Sequence, residues 1–232
     1  MSLRLFACAC ASLAFALPAT AAERNFMVTD FSRIRVDGAY SVKLTTGVAP
    51  FAKATGSSTA LDSLSVEVEG QTLVIRKSRS GWGGYPGENP GPVTIAVGTH
   101  DLAAIWLNGA GGLKVNAVKG PSLDISLIGP GSVAIDKVTV DHLGVGLSGS
   151  GSAVLAGTAI ETAATASGTS SIDAHALTAK NATIGASGAA VVKLTATNTV
   201  KVNGEGAVTV DLAGKPSCAL NVEGPAQVSG CR

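Results

Sequence analysis

The chain has 232 residues, of which 46% are apolar, 14% charged and only 4% aromatic, with 29 glycines and a formal net charge of +1. A near-neutral charge with no basic stripe argues against nucleic acid and against an anionic membrane surface as partners. Abundant periodic apolar residues argue against disorder, and scarce aromatic volume argues against a wide globular core.

Residues 1–22 read as a signal peptide. Arg4 supplies the positive region, Leu5 to Leu17 the apolar run, and Pro18, Ala19, Thr20 and Ala21 the approach to a cut near Ala21 or Ala22. This predicts an exported protein that is periplasmic, on the outer surface or extracellular. Cys8 and Cys10 fall inside the leader and are lost with it. The remaining residues 23–232 form one predicted domain in which basic and acidic side chains balance. No later apolar stretch approaches the roughly 20 residues of a spanning helix, so no membrane span is expected. The repeats described below leave no room for a translocator barrel after them.

Residues 28–98 read as irregular coils of a solenoid. Gly38 follows Ile34 and Val36 and precedes Val42 and Leu44. Gly70 follows Leu64, Val66 and Val68 and precedes Leu73 and Ile75. Val93, Ile95 and Val97 also alternate. The pattern breaks at 78–92, a Gly- and Pro-rich loop that holds Trp82 and Tyr85. Aromatic side chains on a loop over a rigid scaffold can stack on sugars or hold a partner, which makes this a candidate ligand loop. The alternative is that Trp82 folds back over an apolar edge of the early coils. Trp106 lies shortly before Gly109, on the outward phase, and joins the candidates through an expected contact with Trp82.

Residues 99–232 repeat regularly. Gly109, Gly129, Gly149, Gly168, Gly188, Gly204 and Gly224 recur at a period of about 20 residues, with one short step between Gly188 and Gly204. Apolar residues precede them at alternate positions, such as Ile105 and Leu107, or Leu143, Val145 and Leu147. Alternation resumes beyond each glycine, as in Val133 and Ile135, so each row reads as strand, corner, strand and a looser return. Corners such as Asn-Gly-Ala-Gly and Ser-Gly-Ser-Gly are turn signals. Simple hairpins are the alternative, but their spacing would fall to roughly 10 residues. The longer fixed period predicts an all-β parallel β-helix whose layers stack about 4.8 Å apart.

Two cysteines remain, Cys218 and Cys231, and an even pair in an exported chain predicts a disulfide. It would close a short loop in the last coil, stabilising it by roughly 2–4 kcal/mol. Cys218 sits on an inward position and Cys231 on an outward one. Either the last row is distorted or the pair stays reduced.

The Ser-Gly-Ser-Gly corner within Leu143–Leu155, the opening stretch Phe31 to Leu44 and the segment Leu61 to Ile75 resemble the bacterial auto-transporter adhesin, head GIN domain family. The likeness spans about residues 28–231. It implies a right-handed parallel β-helix and an exported protein. It brings no catalytic residues, and the corners at Ser167–Ser170 and Ser187–Ala190 depart from the pattern by lacking the second glycine.

Enzymatic chemistry on such a scaffold needs paired carboxylates or a metal with a base. Asp124, Asp136 and Asp173 take outward positions that are not stacked on one another, and Asp141–His142 and Asp173–His175 are near neighbours in sequence. His100, His142 and His175 share no metal-ligand spacing. No catalytic, metal or cofactor site is therefore assigned. The leading expectation is a non-enzymatic envelope or surface binding module, adhesin-like, taking a cell-envelope glycan or an envelope protein, with self-association at open coil ends as a further possibility. The alternative is a carbohydrate-active enzyme acting on acidic polysaccharide through Asp141 or Asp173.

Overall fold

The computed structural model describes residues 22–78 and 91–232; residues 1–21, expected to be a signal peptide, and Trp82 and Tyr85 lie outside the described residues. Its strands are β1 (Ala22–Phe26), β2 (Arg33–Asp37), β3 (Ser41–Thr46), β4 (Phe51–Gly56), then helix α1 (Ser58–Asp62), β5 (Leu64–Glu69), β6 (Thr72–Lys77) and β7 (Thr94–Thr99). The repeat region supplies β8 (Ala104–Asn108), β9 (Gly112–Val115), β10 (Val118–Ile128), β11 (Ser132–Gly149), β12 (Ser152–Gly168), β13 (Ser171–Gly188) and β14 (Val191–Gly206). The chain closes with β15 (Thr209–Ala213), β16 (Ser217–Glu223) and β17 (Gln227–Ser229). All of them join one hydrogen-bonded sheet wound into a β-solenoid of about 6 turns with ~20-residue coils.

Each coil has three sides. The first runs up to the corner glycine, the second leaves it, and the third returns the chain to the next layer. Along the first side Ile105, Ile125, Val145, Ala164, Ile184 and Val202 pair in parallel register one layer apart. Along the second side Leu113, Val133, Ala153, Ile172, Val192 and Val210 do the same. These residues are buried and fill one continuous core, as the period-two pattern requires.

Positive φ marks the corner glycines, and it revises one of them. Gly206 (φ 92°), not Gly204, stacks on Gly188, while Gly204 pairs with Ala186 inside the strand. The last two steps, Gly188 to Gly206 and Gly206 to Gly224, are therefore equal in length. Asn198, six residues before Gly204 and in alternation with Val200 and Val202, is exposed. The length differences fall elsewhere. Register shifts occur between Val154 and Gly157 and between Ala174 and Thr178, on or approaching the third side. Residues lost from the return leave the first two sides in phase.

The corners come in two geometries with one physical cause. At Gly109, Gly129 and Gly149 the φ values are 109°, 108° and 114°, and the second residue after each is Gly111, Gly131 or Gly151. A Cβ on Gly151 would collide with Leu127 Cδ2 and lie 2.9 Å from the Gly129 carbonyl oxygen. At Gly168, Gly188 and Gly206 φ is 86°, 85° and 92°, and the matching residues Ser170, Ala190 and Val208 point into the core. The Thr169 and Ala189 amides now donate to the Gly149 and Gly168 carbonyls one layer below, at 2.9 and 2.8 Å. On the near side of the corner the side chain shrinks in step: Leu107, Leu127 and Leu147 face glycines, whereas Ala166, Ala186 and Gly204 accompany Ser, Ala and Val. Core volume is conserved by trading it across the corner. One residue does not fit: the Thr162 hydroxyl is buried with no hydrogen-bond partner.

The N-terminal third is more than irregular coil. β6 and β7 form the outermost parallel layer: they lie on β2 and β3, which lie in turn on β8 and β9, all parallel. Beyond that layer the chain reverses. β5 pairs antiparallel with β6, so Gly70 (φ 64°) turns a hairpin, not a coil corner. β4 runs antiparallel on β7, and β1 antiparallel on β4. Helix α1 starts at Ser57, whose side chain accepts from the Ala60 amide, and buries Ala60 and Leu61 against this end. At the same end, a hydrogen bond from His100 holds the Asp30 carboxyl below the usual carboxylate range. At the opposite end Cys218 and Cys231 are bonded, with Cα atoms 5.7 Å apart. The distorted last row answers the phase conflict between them: Gly230 (φ 85°) turns the tail back so that the Arg232 amide donates to the Pro216 carbonyl at 3.0 Å.

Candidate functional site

The outer face of the first side carries the side chains that alternate with the core. At one position along it stand Ser122, His142, Glu161, Asn181 and Thr199, Cα partners in successive layers. The His142 Nδ1 lies 3.2 Å from Glu161 Oε2. One layer on, Asn181 Oδ1 accepts from Thr199 Oγ1 at 2.9 Å and from Asn198 Nδ2 at 2.8 Å. The neighbouring column reads Asp124, Gly144, Ala163, Thr183 and Lys201. Small residues in its middle open a shallow groove of about 480 Å³, acidic at one end and basic at the other. A Cβ on Gly144 would stand 2.5 Å from the Asp124 carboxylate, which leans into the space that glycine leaves.

Trp106 lies on this same outer face. It is half-buried, a Cα partner of Arg35 and Ser126, and lines a second depression with Arg35, Glu69 and Asn108. Its column continues through Ser126, Gly146, Thr165, Gly185 and Asn203, one outward position along the strands from the Asp124–Lys201 column, and Thr165, Gly185 and Asn203 line a separate depression. Trp82 and Tyr85, and with them the expected contact to Trp106, fall outside the described residues.

The acids singled out from the sequence are dispersed. Asp136 is 3.3 Å from Lys114 Nζ on the second side. Asp173 accepts from the His175 amide at 3.2 Å. Asp141 borders a depression on the third side lined by Lys119, Thr139, Thr158 and Ile160. Among the described residues no group of three or more His, Cys, Asp or Glu is placed to hold a metal, and no helix is long and apolar enough to cross a membrane. The contact that sequence reasoning missed is His142–Glu161. The two are separated by one coil of the chain, so the repeat period itself carries that signal.

Wound strands with a continuous buried core and an open polar outer face define this protein as a β-solenoid whose exposed sheet sides are available for contact. The chain belongs to the family described as "Putative auto-transporter adhesin, head GIN domain", which matches residues 30–216. Its fold is similar to that of a "putative adhesin" from Bacteroides fragilis, with 23% identity, 90% of this chain and 96% of that chain covered, and a TM-score of 0.83. A "putative adhesin" from Parabacteroides merdae is 16% identical over 91% and 96% of the two chains, with a TM-score of 0.69. A "putative lipid binding protein" from Parabacteroides distasonis is 18% identical over 91% and 96%, with a TM-score of 0.67. A search of curated proteins found no match.

Proposed function

We propose that this protein is an exported, non-enzymatic binding module that holds an envelope glycan along the outer face of its first side. The observation that carries the reading is the groove between Asp124 and Lys201, flanked by the His142–Glu161–Asn181–Thr199 column, with Trp106 on the same outer face. Hydroxyl, amide and carboxylate groups recur there at the layer spacing of about 4.8 Å, and sugar hydroxyls can bridge such rungs. The Trp106 indole, in a neighbouring depression of the same face, suits stacking on a sugar ring. The groove lacks the apolar, aromatic centre that protein partners favour, so a glycan fits it better than an envelope protein does. Family membership supports the adhesin-like role, and the Cys218–Cys231 bond supports passage through an oxidising compartment. Trp82 and Tyr85, aromatic residues in the Gly- and Pro-rich stretch of the sequence, are proposed to add to the ligand surface.

The test is binding of purified peptidoglycan and envelope polysaccharide to the protein. Saturable binding is expected, weakened about tenfold by Trp106→Ala, the loss of roughly 1.4 kcal/mol of stacking and burial. Release of unsaturated or reducing sugar that disappears with Asp141→Asn or Asp173→Asn would instead establish the carbohydrate-active enzyme.

A further inference from the structure

Trp106 sits in a depression of its own, apart from the groove. The column that carries it reads Val74, Arg35 and Trp106, Cα partners across three layers. Leu73 and Ile75 enter the core, so Val74 faces outward, yet it is only 5% exposed. Val74 and the indole give the depression an apolar floor. It encloses about 450 Å³, within the range of small-ligand sites. Its rim is polar, made by Arg35, Glu69, Thr72 and Asn108.

The two charged residues of that rim are already engaged. Arg35 Nε lies 2.9 Å from Asp37 Oδ2, and Asn108 Nδ2 donates to Asp37 Oδ1 at 2.6 Å, which fixes the carboxylate. Glu69 Oε1 lies 3.1 Å from Arg76 Nη2. These pairs cancel the charge and leave hydrogen-bonding capacity over. Among the described residues nothing bonds the Arg35 Nη groups, the Thr72 hydroxyl or the Asn108 side-chain oxygen.

We propose that this depression is an anchor subsite for one uncharged pyranose ring, an inference that rests on the glycan-binding reading above. A pyranose has an apolar C–H face and a rim of hydroxyls. The depression is its complement, with the indole and Val74 beneath, donors on Arg35, acceptors on Asn108 and Glu69, and Thr72 able to do either. Electrostatics favours an uncharged ring over a uronate. A carboxylate on Arg35 would have to share it with Asp37 and would stand near Glu69, whereas a hydroxyl accepts from the free Nη groups and displaces nothing. Arg35 is thus a binding residue, and Asp37 and Asn108 are positioning residues that hold its guanidinium beside Trp106. Asp124, where the groove begins, is one layer past the strand of Trp106, so a chain anchored here reaches the groove.

Titration calorimetry of the whole protein with purified envelope polysaccharide, native or with its carboxyl groups reduced to alcohols, tests this. Arg35→Gln should weaken binding about tenfold and Thr72→Val about threefold. Both losses should be the same with native and reduced polysaccharide, and the same at low and high salt. Thr72→Val removes only a hydroxyl from the strand, so it reads the site independently of any loosening of the rim by Arg35→Gln, and cooperative thermal unfolding of each variant separates lost contact from lost fold. An Arg35→Gln loss that vanishes with carboxyl reduction or at high salt would mean an acidic sugar and overturn the proposal. Full binding by both variants, together with a block by Gly144→Arg, would overturn it too while leaving the glycan in the groove. Absence of saturable binding by the unaltered protein would remove the glycan reading itself, and this proposal with it.

Discussion

At the scale of single residues, the corner is where sequence is most tightly constrained. The volume trade across the corner glycine links side chains in one layer to backbone in the next. Gly151→Ala forces a Cβ against Leu127 Cδ2 and the Gly129 carbonyl. We expect it to destabilise the fold by about 1–3 kcal/mol. Leu127→Ala removes the side-chain half of that clash, so the double variant should lose less than the sum of the two single variants. Urea unfolding of the four proteins measures this coupling, and strict additivity would contradict the account. Ala190 and Val208 already show the other solution, a side chain at the same position with a re-set φ before it.

At the scale of elements, the stack depends on what closes each end. The N-terminal end is closed by antiparallel strands and a short helix, the C-terminal end by a ring tied between Cys218 and Cys231. Cys231→Ser should cost about 2–4 kcal/mol, by the loop-closure argument, and should speed hydrogen exchange in β16 and β17 while leaving β11 to β13 protected. Equal loss of protection throughout would mean that the ring stabilises the whole stack. Elements of this kind also mark how far the sequence alone can be read. The regular coils were legible because inward residues such as Ile125, Val145 and Ile184 repeat with the corner glycine. Gly204 misled because it too is a glycine in an alternating run, and only pairing with Ala186 shows that it replaces a side chain inside the strand. Gly70 misled because alternation is the same in a hairpin and in a coil; what separates them is strand direction, which period two does not encode. The groove was partly legible: Asp124 and His142 were placed outward or singled out, but Glu161 and Lys201 join them only through the layer register.

At the scale of the whole molecule, the winding converts a linear sequence into three flat sides, each with its own outward columns. The first side combines Trp106, the polar column and the groove; the third carries Thr139, Thr158 and Thr178 in one exposed file. Side-specific chemistry on a common core lets a member of this family keep its fold while one outer face acquires a ligand. The most direct test compares blocks on two sides. Gly144→Arg fills the groove, displacing only the flexible end of Asp124, and Thr158→Arg adds the same charge and bulk to the third side. Measured by biolayer interferometry against purified peptidoglycan and envelope polysaccharide, binding should fall at least tenfold with Gly144→Arg and hold within twofold of the unaltered protein with Thr158→Arg, a contrast of about 1 kcal/mol or more. Equal effects from the two blocks, or no saturable glycan binding by the unaltered protein, would contradict a ligand held on the first side.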